Sequence, residues 1–302
     1  MPDVTTSIAT SVALDLSSLP APDVVEQLGY EAILAALIAD LSARWPEFDA
    51  LVESEPLIKL LQLIAYRELV LRQQFNDRAR SVMLAFAGGA DLAHLAALFG
   101  VSRLELTPAN PEAGTAAVME SDDDLRRRVL LAPDSWSVAG PEAAYIFHAL
   151  SADPGILDAS ATSPTPGAVV VSLLSRTGSG AASPEQIAAV EAVVNADGVR
   201  PLTDLVTVQS AGIQNFTIEA EIRLFAGPDS PTIEAASRAA LTAFLASAHR
   251  LGRDVPVSAI IAALHVGGVR KVVVTLPAAD VECTRLQAAY CTATDITVTV
   301  PA

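Results

Sequence analysis

The sequence predicts an α+β fold, with an N-terminal helical region followed by two or three small α/β units built on antiparallel or mixed sheets. Three observations carry this reading. Apolar residues recur at three- and four-residue spacing up to about residue 103, two capped helical stretches joined by a turn occupy 120–154, and from Ile156 onward β-branched runs alternate with capped helical ones. The predicted organisation is an extended arm at 1–22, a helical region at 23–103, a linker and helix-turn-helix hinge at 104–154, and α/β units at 155–210 and 213–302.

The arm is rich in Ser and Thr and ends in Leu19-Pro20-Ala21-Pro22, where two prolines hold the chain extended. From Asp23, the spacing of Val24, Leu28, Leu34, Leu37, Ile38, Leu41 and Trp45 predicts an amphipathic helix that Pro46 ends. Pro56 opens a second helix expected to run to Ala87, about 45 Å at roughly 1.5 Å per residue. Leu57, Leu61, Ile64, Leu71 and Phe75 fall near one face of it, and Leu60, Leu63 and Val70 widen that face. A region with so few elements has little to cover it, so these five residues are candidates for a partner interface. Gly88-Gly89 stops the helix, and Asp91–Ala96 predicts a short third one ended by Gly100.

Residues 104–120 carry Pro108, Asn110, Pro111 and Gly114 and are expected to be a linker. Ser121 and Asp124 form an approximate capping box for a helix over 122–132, with Asp122, Asp123 and Asp124 at its positive end. Pro133 is expected to break that helix, and Gly140 with Pro141 to start the next, through Ala149. Pro108, Gly114, Pro133 and Gly140 are therefore candidate pivots between the flanking domains. Downstream, Ile156–Thr162 and Ala168–Leu174 predict a hairpin with a five-residue turn, and Ser183-Pro184-Glu185-Gln186 is a complete capping box for a helix to about Asn195. Leu205–Val208 returns as a strand. Phe216, Ile218, Ala220, Ile222 and Leu224 alternate with Thr217, Glu219, Glu221 and Arg223, a strand with one buried face, expected at a sheet edge. Helices at 231–249 and 258–264 and strands at 269–276 and 296–300 complete the chain.

Composition narrows the function. With 19 Lys and Arg against 35 Asp and Glu, the net charge of −16 opposes binding to a phosphate backbone, so no nucleic-acid partner is expected. No apolar run approaches the ~18–20 residues of a membrane span, and none is expected. No Lys or Arg precedes Arg44, which leaves no positively charged export signal. Cys283 and Cys291 are expected to be reduced thiols. His94, His148, His249 and His265 are scattered without ligand spacing, no cofactor or metal is implied, and the chain is not expected to be an enzyme. Arg176–Ser183 places Gly178 and Gly180 between a strand and a helix, the setting of a phosphate loop. Its third glycine position is Ser183, its helix begins with a proline, and no parallel βαβ frame is expected around it. A small-ligand or nucleotide-binding α/β protein using the Gly178 loop is the alternative function.

Four strings resemble the baseplate J-like family of contractile phage tails. They are DLSSLPAPDVVEQLGYEAIL (Asp15–Leu34), AGGADLAHLAALFGVSR (Ala87–Arg103), the hinge segment with Leu125, Arg126, Arg128, Gly140, Ala144 and Tyr145, and Arg200-Pro201-Leu202-Thr203-Asp204. The resemblance implies a structural subunit of the baseplate wedge of a phage tail or tail-like particle. Such a subunit assembles with itself and other wedge proteins into a ring around the hub, resides in the virion and passes through the host cytoplasm during assembly. No catalytic residue comes with it.

Overall fold

In the computed structural model the described residues are 26–48, 52, 55–137, 139–225 and 230–299, and they fall into two units, divided between Ser102 and Arg103. The predicted arm lies outside the described residues.

The helical unit holds α1 (Tyr30–Arg44), α2 (Pro56–Ser81) and α3 (Gly89–Ala97), with α1 packed along α2. Helix α1 starts at Tyr30 rather than Asp23. Residues 26–29 are not helical because the buried Asn76 of α2 captures the backbone of Glu26, accepting from its N–H at 3.1 Å and donating to its carbonyl at 2.9 Å. Gly29, extended at φ −134°, then serves as the N-cap. Helix α2 ends at Ser81, six residues short of Ala87. There the Ser81 hydroxyl donates to the Arg78 carbonyl, and the chain turns through Met83 N–H to Arg80 O.

The predicted linker is a hairpin, β1 (Glu105–Thr107) with β2 (Val118–Met119). Asn110 organises its tip, its side-chain oxygen accepting from the N–H groups of Glu112 and Ala113. Helix α4 (Asp122–Ser135) is capped by Ser121 Oγ on Asp124 N–H and continues past Pro133. So near its end, the proline's fixed φ still fits the last turn, and the missing N–H removes a single bond. Helix α5 (Glu142–Ala152) follows.

Strands β3 (Ile156–Thr165) and β4 (Ala168–Ser175) pair antiparallel across a two-residue Pro166-Gly167 turn, shorter than the expected five. The predicted capping box starts α6 (Pro184–Val194), and β5 (Leu205–Ser210) then pairs parallel to β4. A parallel β4–α6–β5 crossover is therefore present, contrary to the sequence expectation. Tyr145, Ile146 and Leu150 of α5 pack against Ile156, Leu173, Val190 and Val194 to form this core.

The last sheet has the order β7-β6-β8, from β6 (Gly212–Leu224), β7 (Val269–Leu276) and β8 (Gln287–Thr299), with α7 (Ser230–Ala248) and α8 (Val257–Leu264) between β6 and β7 in sequence. Strand β6 is central, antiparallel to β7 and parallel to β8, and not at the edge as expected. The alternation Phe216 to Leu224 reports which face is buried and carries no information on lateral neighbours. Ile218, Ile222 and Leu224 meet Leu241, Ile260 and Leu264 in the second core. The two sheets are stitched by Ala211 N–H to Leu173 O at 2.8 Å and by a small shared core of Leu174, Ala211, Leu251 and Ala288. Among the described residues no helix is long and apolar enough to cross a membrane.

Candidate interaction surfaces

Helix α2 has two apolar faces. Ile58, Leu61 and Ala65 are buried, whereas Leu60, Leu63, Ile64, Leu71 and Phe75 are exposed, the last two by 60% and 59%. At about 100° per residue the exposed set is centred roughly a third of a turn from the buried set, with Phe75 and Ile64 bordering Leu61. Of the five interface candidates, Ile64, Leu71 and Phe75 thus lie in the exposed stripe, Leu57 is half-buried and Leu61 is inside. The sequence showed one wide face. Burial divides it into an internal seam and an outer stripe.

The charged start of α4 is fully engaged. Asp122 pairs with Arg103 at 2.5 Å and Asp123 with Arg126 at 2.7 Å. Asp124 pairs with both Arg176 at 2.9 Å and Arg250 at 3.2 Å. Burial pushes the Asp124 carboxyl up, but its two arginines outweigh that and hold it below the usual aspartate value. Arg127 reaches Asp158 at 2.6 Å, and Asp158 also accepts Leu251 N–H at 2.9 Å. Arg128 reaches the fully buried Glu120 at 2.7 Å. The three consecutive arginines therefore serve three different carboxylates, as their angular spacing requires. Burial raises the Glu120 carboxyl against the pull of Arg128, and its Oε2 has no hydrogen-bond partner among the described residues. Arg250 also donates to Leu157 O at 2.6 Å. Helix α4 is thus bonded to both α/β units, to β3 through Asp158 and to the loop after α7 through Arg250. Arg176 and Arg250 were not singled out in the sequence, since their partner is more than fifty residues away in each case.

Two of the family-like strings meet in space. The buried Tyr145 donates its hydroxyl to Asp204 Oδ2 at 2.8 Å, and Arg200 donates to Asp204 O at 3.2 Å. Burial, then the Asp204 bond, raises the phenol above its ordinary value. Gly140 has φ +70°, and a Cβ there would lie 2.6 Å from Pro201 Cγ. Only glycine fits this combination of left-handed backbone and close approach. The loop so held projects Leu202, whose side chain is 102% exposed, flanked by exposed Leu205.

A concavity of about 280 Å³ lies on the last α/β unit between α7 and β8. Phe216, Leu245, Ala246, His249, Tyr290 and Cys291 are among its walls, with His249 edge-on to Tyr290 at 5.6 Å. Burial raises the Cys291 thiol, and pushes that of Cys283 up to about 11, so neither is an activated nucleophile. Among the described residues no group of three His, Cys, Asp or Glu is placed to hold a metal ion.

The Gly178 loop is folded on itself. Ser175 N–H donates to Gly180 O, and Gly180 N–H to Thr177 O. A Cβ at Gly180, φ +97°, would lie 2.6 Å from Leu174 and 2.7 Å from His249. The Gln186 N–H at the start of α6 is taken by Ser183 Oγ, and Ala182 N–H by Ser210 Oγ. These are the donors a phosphate would use, so the geometry gives the nucleotide reading no support. Of the candidate pivots, Pro108 and Gly114 lie exposed in the β1–β2 hairpin, Pro133 lies within α4, and Gly140 is packed against Pro201.

Comparison with known proteins covers nearly the whole described chain. Residues 53–110 match the Baseplate J-like N-terminal domain, 137–210 the central domain and 216–299 the C-terminal domain. The chain is also 47% identical over 288 residues to Baseplate protein J of Escherichia phage P2, spanning 92% of this chain and 95% of that protein.

Proposed function

This chain belongs to the Baseplate J-like family, and from that premise we propose that it is a structural subunit of the baseplate wedge of a contractile phage tail or tail-like particle. The observation that carries the proposal is the ordered match of all three family domains together with identity that extends over 95% of the phage P2 relative. The outer stripe of α2 supports it, because a contiguous exposed apolar surface marks a place of association.

In this reading the stripe of Leu60, Leu63, Ile64, Leu71 and Phe75 packs against helices of neighbouring wedge proteins. The unit at 213–302 contributes contacts between copies of the chain in a ring around the hub, and assembly takes place in the host cytoplasm. Motion between resting and triggered particles is not expected at Pro133 to Gly140, nor at Pro108 to Gly114, the tip of a hairpin whose strands are paired at its base. The ion pairs of Asp124 and Asp158 support this, since a swing of α4 would have to break them.

Tail particles purified from a host making every tail protein except this chain provide the test. Electron microscopy should show no complete baseplates, and restoring the chain should restore them. Complete baseplates formed without it would overturn the proposal. Phe75→Asp with Leu71→Asp should leave the chain folded but absent from particles.

A further inference from the structure

The outer stripe of α2 carries a repeat that the proposed function does not use. Leu60, Ile64 and Arg67 are followed, eleven residues on, by Leu71, Phe75 and Arg78. Eleven residues are close to three helical turns, so at about 100° per residue these side chains fall within roughly 80° of one another, in a line along the helix axis. All six are exposed. The line is about 27 Å long at roughly 1.5 Å per residue, and a straight, narrow apolar track of that kind suits one helix laid along it. Arg67 stands within the track, between Ile64 and Leu71, and Arg78 follows one turn after Phe75. Among the described residues neither guanidinium has a carboxylate partner, and the line itself contains no Asp or Glu. The ion pairs of α2 belong instead to Arg72, which holds Glu26 and Glu68 next to the buried seam.

Charge within the track selects its occupant. Whatever covers Leu71 and Phe75 also covers the two guanidinium groups, and a covered guanidinium without a carboxylate is strongly unfavourable. A purely apolar helix is therefore rejected. So is α2 of a second copy, whose stripe brings arginines and no carboxylate to the contact in either direction. A lipid surface fits no better, because helices that lie on membranes keep their cations on the face opposite the apolar one. Arg67 and Arg78 are about 16 Å apart along the axis at roughly 1.5 Å per residue. A helix lying alongside meets both with carboxylates that are themselves eleven residues apart.

We infer that α2 receives an amphipathic helix of a different protein of the particle, whose apolar stripe carries two Asp or Glu residues eleven positions apart that pair with Arg67 and Arg78. The inference rests on the wedge role proposed above and adds the chemistry and the register of the partner. The apolar residues supply the contact area, and the two arginines decide which helix may use it and where along α2 it stops.

Baseplates assembled with p-benzoylphenylalanine in place of Leu71 provide the test: they are irradiated, and the cross-linked segment is identified by mass spectrometry. The expected product joins α2 to a helix of a different tail protein that carries the two carboxylates at that spacing. A cross-link to α2 of a second copy, to a segment without such carboxylates, or to nothing at all would overturn the inference. Charge is tested separately. Arg67→Met with Arg78→Met would be tolerated or favoured by a purely apolar contact. In the arrangement inferred it strands the partner's carboxylates, and should lower the amount of chain in particles about tenfold or more while the circular dichroism spectrum of the purified chain is unchanged. Changing those two carboxylates to Met as well should restore incorporation. Wild-type incorporation of the double Met variant, or failure of that rescue, counts against the pairing. Complete baseplates formed without this chain remove the wedge role and the inference together, whereas baseplates that require the chain but set another surface against Leu71 remove the inference alone.

Discussion

The two units of this chain bury their apolar residues very differently. Among the described residues up to Ser102, eight hydrophobic residues are buried and eleven large ones are exposed; from Arg103 onward, thirty-five are buried and seven are exposed. The α/β unit satisfies its own hydrophobic residues through two sheet cores and a small shared one, and it also satisfies its charges by pairing α4 with distant carboxylates and arginines. The helical unit pairs charges too, Arg72 with Glu26 and Glu68, but it buries far fewer of its hydrophobic residues. Its long helix keeps a seam for α1 and an outer stripe of exposed apolar residues. The difference teaches that one unit is a self-sufficient scaffold, whereas the other presents much of its apolar area to whatever it assembles with.

The strongest test of that contrast targets the buried charges. Glu120→Gln should destabilise the α/β unit by about 3–5 kcal/mol, because it strands Arg128 in a site that is 5% exposed. Glu120→Leu combined with Arg128→Met should lose much less than either change alone, as read by urea unfolding. A double change that loses as much as the sum of the two single changes would mean the pair is not coupled. Core truncation comes next. Ile222→Ala or Leu173→Ala should cost about 2–5 kcal/mol, and Leu61→Asp, at 7% exposure, should prevent the helical unit from folding.

Acid should act on the Asp124 node. Its folded pKa is depressed, so its contribution is present above the ordinary aspartate pKa near 3.8 and disappears as pH falls through the lower folded value. Asp124→Asn should therefore cost about 1.5–3 kcal/mol at pH 7, and the gap to wild type should narrow as the pH is lowered below that of an ordinary carboxylate. A gap independent of pH would show that the ion pairs are not its source. The smallest effect sharpens the contrast most. Phe75→Ala, at 59% exposure, should change the stability of the separate chain by no more than about 0.5 kcal/mol.

Elements written into local chemistry were legible in advance. The Ser183–Gln186 capping box, the Ser121 cap, the period-two alternation of Phe216 to Leu224 and the Pro56 start all appear where their residue types demand. Four short strings were enough to assign the family. Boundaries failed where a distant group intervened. Residues 26–29 stay outside helix α1 through Asn76, fifty positions from Glu26, and the 104–120 segment became a hairpin through Asn110 and the pairing of 105–107 with 118–119.

What the sequence by itself determined, then, is whatever depends on neighbours within a few residues: the caps, the strand faces and the class of fold. Tertiary structure decided what depends on who lies across the gap. It placed β6 at the centre of its sheet, tied α4 to both α/β units through Arg176 and Arg250, and split one wide apolar face of α2 into a buried seam and an outer stripe. The reason is physical: periodicity records the direction in which a side chain points, but the energy of pointing there depends on which atoms the folded chain brings to meet it.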